Sequence, residues 1–165
     1  MTTDQMIANQ VQELAAILTG RGYRMATAES CTAGGIAYHC TELAGSSEWF
    51  EGGVVCYSNA IKENVLGVSP EILEQEGAVS ERCAEALAKG VKHLCNVDVA
   101  LSVTGIAGPG GGRKDKPVGM VCFGFQIGKN TWTDIQYFSG DRAEVRTQSI
   151  HHALQEVINY FINNR

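Results

Sequence analysis

Few folds can accommodate the segment between Tyr23 and Cys40. Tyr23-Arg24-Met25-Ala26-Thr27 reads as a short buried strand, Ala28-Glu29-Ser30-Cys31-Thr32-Ala33-Gly34-Gly35 as a tight turn, and Ile36-Ala37-Tyr38-His39-Cys40 as the start of a helix. A strand that passes straight into a helix is the repeating unit of an α/β sheet. A hydroxyl at such a turn sits at the positive end of the helix dipole, where the free amides of Cys31 and Thr32 could serve as donors to an oxyanion. Ser30 is therefore a candidate nucleophile. The plainer reading, that Ser30 only caps the helix, stands beside it because serine is a preferred cap residue.

The rest of the chain continues the pattern. Ile7, Val11, Leu14, Ala15 and Leu18 recur with helical period, and Gly20 and Gly22 close that helix. Gly53-Val54-Val55-Cys56-Tyr57 is apolar without alternation, as expected for a strand covered on both faces. Short helices are predicted behind Ser58 or Asn59 and behind Ser69-Pro70. A longer one follows Ser80 and is expected to bury Ala84, Leu87, Val91 and Leu94. A third strand runs from Val97 to Val103, and the strands Val118–Ile127 and Thr131–Phe138 form a hairpin around Gly128-Lys129-Asn130. Asp141 with Glu144 resembles a capping box ahead of a final helix carrying Val145, Ile150, Leu154, Val157, Ile158 and Phe161. The expectation is an α/β fold, a single domain over residues 1–165 with a mixed β-sheet flanked by helices.

Composition narrows the function classes. The net charge of -5 and pI near 5.3 argue against a nucleic-acid partner, which calls for a basic face. No apolar run is long enough to cross a bilayer, and the N-terminus lacks the basic-then-apolar pattern of a secretory signal. The expected partner list is thus no nucleic acid and no membrane, and the expected location is the cytoplasm. The cysteines Cys31, Cys40, Cys56, Cys83, Cys95 and Cys122 form no Cys-x-x-Cys pair and no zinc-site spacing with histidine. Neither a disulfide framework nor a metal is expected.

Three loops follow predicted strand ends: the one at Ser30, the one from Tyr57 to Lys62, and the glycine-rich run after Thr104. If these strands run parallel, the loops converge on one site outside their carboxyl ends. A serine hydroxyl needs a base. His39, His93, His151 and His152 all fall within predicted helices and read as surface or packed residues. A lysine in an apolar pocket can replace histidine, which makes Lys62 a candidate base, although a lone helix lysine is ordinarily solvated. Tyr57 could relay a proton or orient Lys62; otherwise it is a core aromatic with its hydroxyl at the surface. Gly108, Gly110, Gly111 and Gly112 allow close backbone approach to a phosphate but do not form a dinucleotide fingerprint. Arg142 and Arg146 lie one helical turn apart and could hold an anion.

Six blocks in order carry a resemblance: Glu29-Ser30-Cys31-Thr32-Ala33-Gly34-Gly35, Tyr57-Ser58-Asn59-x-x-Lys62, Gly77-Ala78-Val79-Ser80, Thr104-Gly105-Ile106-Ala107-Gly108-Pro109, Lys116-Pro117-Val118-Gly119 and Phe138-Ser139-Gly140-Asp141-Arg142. Together they resemble the CinA C-terminal domain family over nearly the whole chain, in its stand-alone form. The resemblance implies hydrolysis of the carboxamide of nicotinamide mononucleotide to nicotinate mononucleotide and ammonia, without cofactor or metal. It implies Ser30 as nucleophile, Lys62 as general base and Tyr57 as a supporting hydroxyl. Cys31, Thr32, Thr104, Gly105 and Arg142 are the implied substrate-binding residues. It also implies a homo-oligomer, a dimer or larger. Two alternatives stay open: Cys31 as the nucleophile, and a non-catalytic nucleotide-binding regulatory module of the competence or damage-inducible type. Ala33 departs from the glycine common in the family, which would strain the turn if that position needs φ > 0.

Overall fold

The computed structural model describes residues 1–164. The described helices are α1 (Thr3–Arg21), α2 (Gly35–Glu42), α3 (Asn59–Asn64), α4 (Pro70–Gln75), α5 (Glu81–Cys95) and α6 (Arg142–Asn163). They alternate with strands β1 (Met25–Glu29), β2 (Phe50–Val55), β3 (Val99–Gly105), β4 (Met120–Ile127) and β5 (Asn130–Tyr137). The strands form one sheet in the order β2-β1-β3-β4-β5. β1 is parallel to both β2 and β3, whereas β4 is antiparallel to β3 and β5. The fold is the expected mixed sheet flanked by helices.

Local chemistry sets most helix starts. Thr2 and Gln5 form a capping box on α1, and Asp141 and Glu144 form another on α6. Ser58, Ser69 and Ser80 each accept a first-turn amide with the side-chain oxygen, and Pro70 fills the first position of α4. α2 departs from this rule. It begins only at Gly35 behind Gly34, so Ser30 is not its cap and the plainer reading of that serine fails.

Side-chain size separates the two faces of the sheet. Met25, Leu101, Val103, Phe123 and Phe125 point to the face covered by α1, α2 and α6, where Ile7, Leu14, Ile36, Leu154 and Val157 complete the larger core. Ala26, Ala28 and Ala100 point to the other face, against Leu87 and Val91 of α5. Small residues let α5 approach closely: Ser102 Oγ donates to the Ala84 carbonyl, and a Cβ at Gly124 would collide with that same carbonyl.

Two sequence expectations change. Strand β2 lies at the sheet edge and alternates between buried and exposed positions, ending at Val55 with 50% exposure; it is not covered on both faces. A run of valines suits an edge strand as well as a central one, since β-branched residues favour either. Leu94 is 53% exposed, because the apolar stripe of α5 continues through Val91 to Cys95 instead.

All six cysteines are free thiols. Burial pushes the thiols of Cys31 and Cys122 up to about 12 and those of Cys56 and Cys83 up to about 11, and raises that of Cys40 too. A raised acid stays protonated in the fold while the unfolded chain ionises, so stability is full at neutral pH and falls as pH climbs through the unfolded value. From pH 8 to pH 10 each such thiol is expected to remove about 1–2 kcal/mol. Urea unfolding of the reduced protein should show this loss, and Cys122→Ala should lessen it.

Ala33 has φ 49°, in the left-handed region that glycine adopts without cost. Ala33→Gly should raise stability by about 0.5–1 kcal/mol, read as a higher thermal midpoint. An unchanged or lower midpoint would show that the turn tolerates alanine without strain.

Candidate active site

The three parallel strands end side by side, so the loops that leave them share one end of the sheet. Ser30 prolongs the ladder by one step, with its amide on the Val103 carbonyl at 2.9 Å. Successive residues of a strand point to opposite faces. Glu29 accordingly turns toward α2, and Ser30 toward the side where α3 brings in Lys62.

Lys62 is 1% exposed. Its Nζ meets Ser30 Oγ at 3.1 Å, the Cys56 carbonyl at 2.8 Å and the Tyr57 carbonyl at 2.9 Å. An ammonium has three protons to donate, and these three acceptors take them all. As a neutral amine the same nitrogen would give its two protons to the carbonyls and turn its lone pair to the serine hydroxyl. This geometry suits a hydroxyl and its base.

A cavity of about 320 Å³ opens over the pair, lined by Ser30, Cys31, Tyr57, Lys62, Thr104, Gly105 and Arg142, among others. Its far wall is the glycine-rich loop at Gly108, Gly110 and Gly111. Arg142, in the first turn of α6, donates from Nη1 to the Gly108 carbonyl at 2.6 Å and reaches the Tyr57 hydroxyl from Nη2 at 3.5 Å. A cation therefore stands at the rim beside backbone that carries no side chains, and the buried amine stands at the floor.

The structure redistributes several expected roles. Tyr57 orients Lys62 through its carbonyl, while its hydroxyl turns to Arg142. Thr32 is buried and gives its hydroxyl to Glu29 at 2.8 Å, so its side chain does not enter the cavity. The amides of Cys31 and Thr32 have no acceptor among the hydrogen bonds of the described residues, but of these two residues only Cys31 lines the cavity. The start of α2 gives no such help, because the Glu29 carboxylate occupies its Ile36 and Ala37 amides. The Thr104 hydroxyl is committed to the Ala78 carbonyl at 2.9 Å. Arg146 points beneath the turn, with Nη2 3.5 Å from the Thr32 carbonyl, and does not line the cavity. Asn59 does line it, as an exposed residue; the motif contained this residue, and the capping role went to Ser58.

Cys31 lines the cavity at 5% exposure, and burial raises its thiol to about 12. The activation expected from a helix start is therefore missing. Among the described residues no histidine lines the cavity. One group of metal-capable side chains lies together, Asp134, His152 and Glu156 on β5 and α6. None of them lines this cavity, and His152 Nε2 already pairs with Asp134 Oδ2 at 2.6 Å. Among the described residues no helix is long and apolar enough to cross a membrane.

Comparison with known proteins places the chain in a family. Residues 7–161 match the model of the CinA C-terminal domain. The chain is 51% identical over 154 residues to the nicotinamide-nucleotide amidohydrolase PncC of Enterobacter agglomerans, covering 92% of this chain and 93% of that relative. It is 43% identical over 163 residues to the protein of the same name from Escherichia coli strain K12, covering 98% and 99%. A crystal structure of a CinA superfamily protein from Enterobacter cloacae superposes with a TM-score of 0.91 at 35% identity, covering 94% of this chain and 92% of that one. With the motif blocks, the sheet order and this match in agreement, the chain belongs to the CinA C-terminal domain family.

Proposed function

We infer that this protein is a nicotinamide-nucleotide amidohydrolase that converts nicotinamide mononucleotide to nicotinate mononucleotide and ammonia through a Ser30–Lys62 pair. The observation that carries the reading is the buried contact of 3.1 Å between Lys62 Nζ and Ser30 Oγ on the cavity floor. Relatives that bear the amidohydrolase name align over nine-tenths or more of their length, which supports the substrate.

In this scheme neutral Lys62 takes the Ser30 proton as Oγ attacks the carboxamide carbon. The carbonyls of Cys56 and Tyr57 hold the amine in place, so the proton moves along one preset line. The Cys31 and Thr32 amides serve the oxyanion. Lys62 then protonates the departing ammonia, and water, activated by the same amine, cleaves the acyl ester. Arg142 and the backbone around Gly110 and Gly111 receive the phosphate, because a guanidinium and unencumbered amides are complementary to it.

The cytoplasmic placement, a role in pyridine nucleotide recycling and a homo-oligomeric state belong to the same reading. Exposed Val55, Ile61 and Val65 near the site offer apolar surface to a second copy, which light scattering can test.

Release of ammonia and nicotinate mononucleotide tests the chemistry. Ser30→Ala and Lys62→Met should each lower kcat by about a thousandfold or more, and a chelator should leave wild-type turnover unchanged. Cys31→Ala should stay within about tenfold of wild type, because a thiol raised to about 12 carries almost no thiolate at neutral pH. Near-normal turnover in Ser30→Ala would sink the scheme. Collapse in Cys31→Ala alone would move the nucleophile to the thiol. Nucleotide binding without any product would leave the regulatory module.

A further inference from the structure

Glu29 precedes Ser30 in the chain and takes no part in the chemistry above, yet it is only 1% exposed. A carboxylate in the interior must be fully bonded to be tolerated. Here Oε1 accepts from the Thr32 hydroxyl and the Ile36 amide, each at 2.8 Å, and Oε2 accepts from the Thr27 hydroxyl and the Ala37 amide, each at 3.0 Å. Ile36 and Ala37 lie in the first turn of α2, whose capping residue, Gly34, has no side chain to offer. Glu29 thus caps that helix from upstream of the turn. The segment 30–34 is closed at one end by the Glu29 backbone and at the other by its carboxylate.

The main chain of Glu29 reaches the second member of the pair. Its carbonyl accepts the Cys56 amide at 3.0 Å, and the Cys56 carbonyl in turn accepts Lys62 Nζ at 2.8 Å. Binding the Thr32 hydroxyl also fixes the residue whose amide, with that of Cys31, remains without an acceptor. One residue therefore ties together the nucleophile turn, the spare amides and the loop that holds the amine.

We propose that Glu29 is a positioning residue for the reaction: its carboxylate holds Ser30 Oγ and the Cys31 and Thr32 amides in register with Lys62. Glu29 does not itself line the cavity and makes no hydrogen bond to Arg142. Loss of its bonds should therefore lower the rate of attack and leave nucleotide binding intact. The inference rests on the amidohydrolase reading for its substrate, but the reactivity of Ser30 can also be followed without that substrate.

Glu29→Gln keeps the size of the side chain and replaces one acceptor oxygen with a donor. The Thr27 or Thr32 hydroxyl can turn to accept from it, but the Ile36 and Ala37 amides cannot. Thr27→Val removes only the Thr27 bond and serves as the milder variant if Glu29→Gln does not fold. Two quantities are measured per folded molecule, with folding followed by near-ultraviolet circular dichroism. One is turnover of nicotinamide mononucleotide, resolved into kcat and KM, and the other is the rate of Ser30 labelling by a fluorophosphonate probe. In Glu29→Gln, kcat and labelling should fall by about ten- to a hundredfold with KM within about twofold of wild type. Thr27→Val should show the same split at about three- to tenfold.

Turnover and labelling within twofold of wild type in folded Glu29→Gln would overturn the proposal. So would a loss that tracks the unfolded fraction, or a fall in kcat/KM that lies wholly in KM. If wild type labels but does not turn over the nucleotide, the amidohydrolase reading fails, and the labelling ratio still decides the role of Glu29. If wild type neither labels nor turns over, both readings fall.

Discussion

The site depends on the need of one buried nitrogen for partners. Lys62 is sealed to 1% exposure, and leaving its donors unpaired there would cost several kcal/mol. The chain meets this need with the carbonyls of Cys56 and Tyr57, where the backbone leaves β2 and before α3 takes up its own bonding pattern. Those carbonyls lie beside Ser30 only because β2 runs parallel to β1 and in register with it through Glu29 and Val55. Parallel pairing thus converts two distant loops into one polar pocket floor.

The asymmetry of the sheet serves the same end. Alanine, serine and glycine on one face let α5 pack closely, and larger aliphatic and aromatic side chains on the other face support α1 and α6. Packing α6 against that second face sets the direction of its first turn, which delivers Arg142 to the rim opposite Lys62. The capping box of Asp141 and Glu144 fixes where that turn begins. Core packing and the position of the candidate anion contact are therefore coupled through one helix.

Much of this was legible in the chain. Ser58, Ser69, Ser80 and Asp141 announce helix starts because a short polar side chain ahead of an apolar period does so through its own local bonds. Ser30 and Lys62 could be singled out because each lies in a loop or helix start behind a strand end, and Arg142 because it opens the last helix one turn before Arg146. The misreadings share a cause. β2 resembled a central strand and Leu94 a core residue, and a cap stood open beside the nucleophile reading of Ser30, since each local pattern fits two environments. Which one is realised depends on neighbours distant in sequence.

Local chemistry by itself determined the order of the elements, most of their capping residues and the chemically capable side chains, because these follow from interactions within a few residues. Tertiary structure alone decided the partners. It gave the cap of α2 to Glu29, turned the Tyr57 hydroxyl to Arg142 and its carbonyl to Lys62, and buried Cys31 until its thiol lost its acidity. Burial and long-range hydrogen bonds set these outcomes. Both arise only when β1, β2 and β3 pair, and no stretch of sequence read alone contains that pairing.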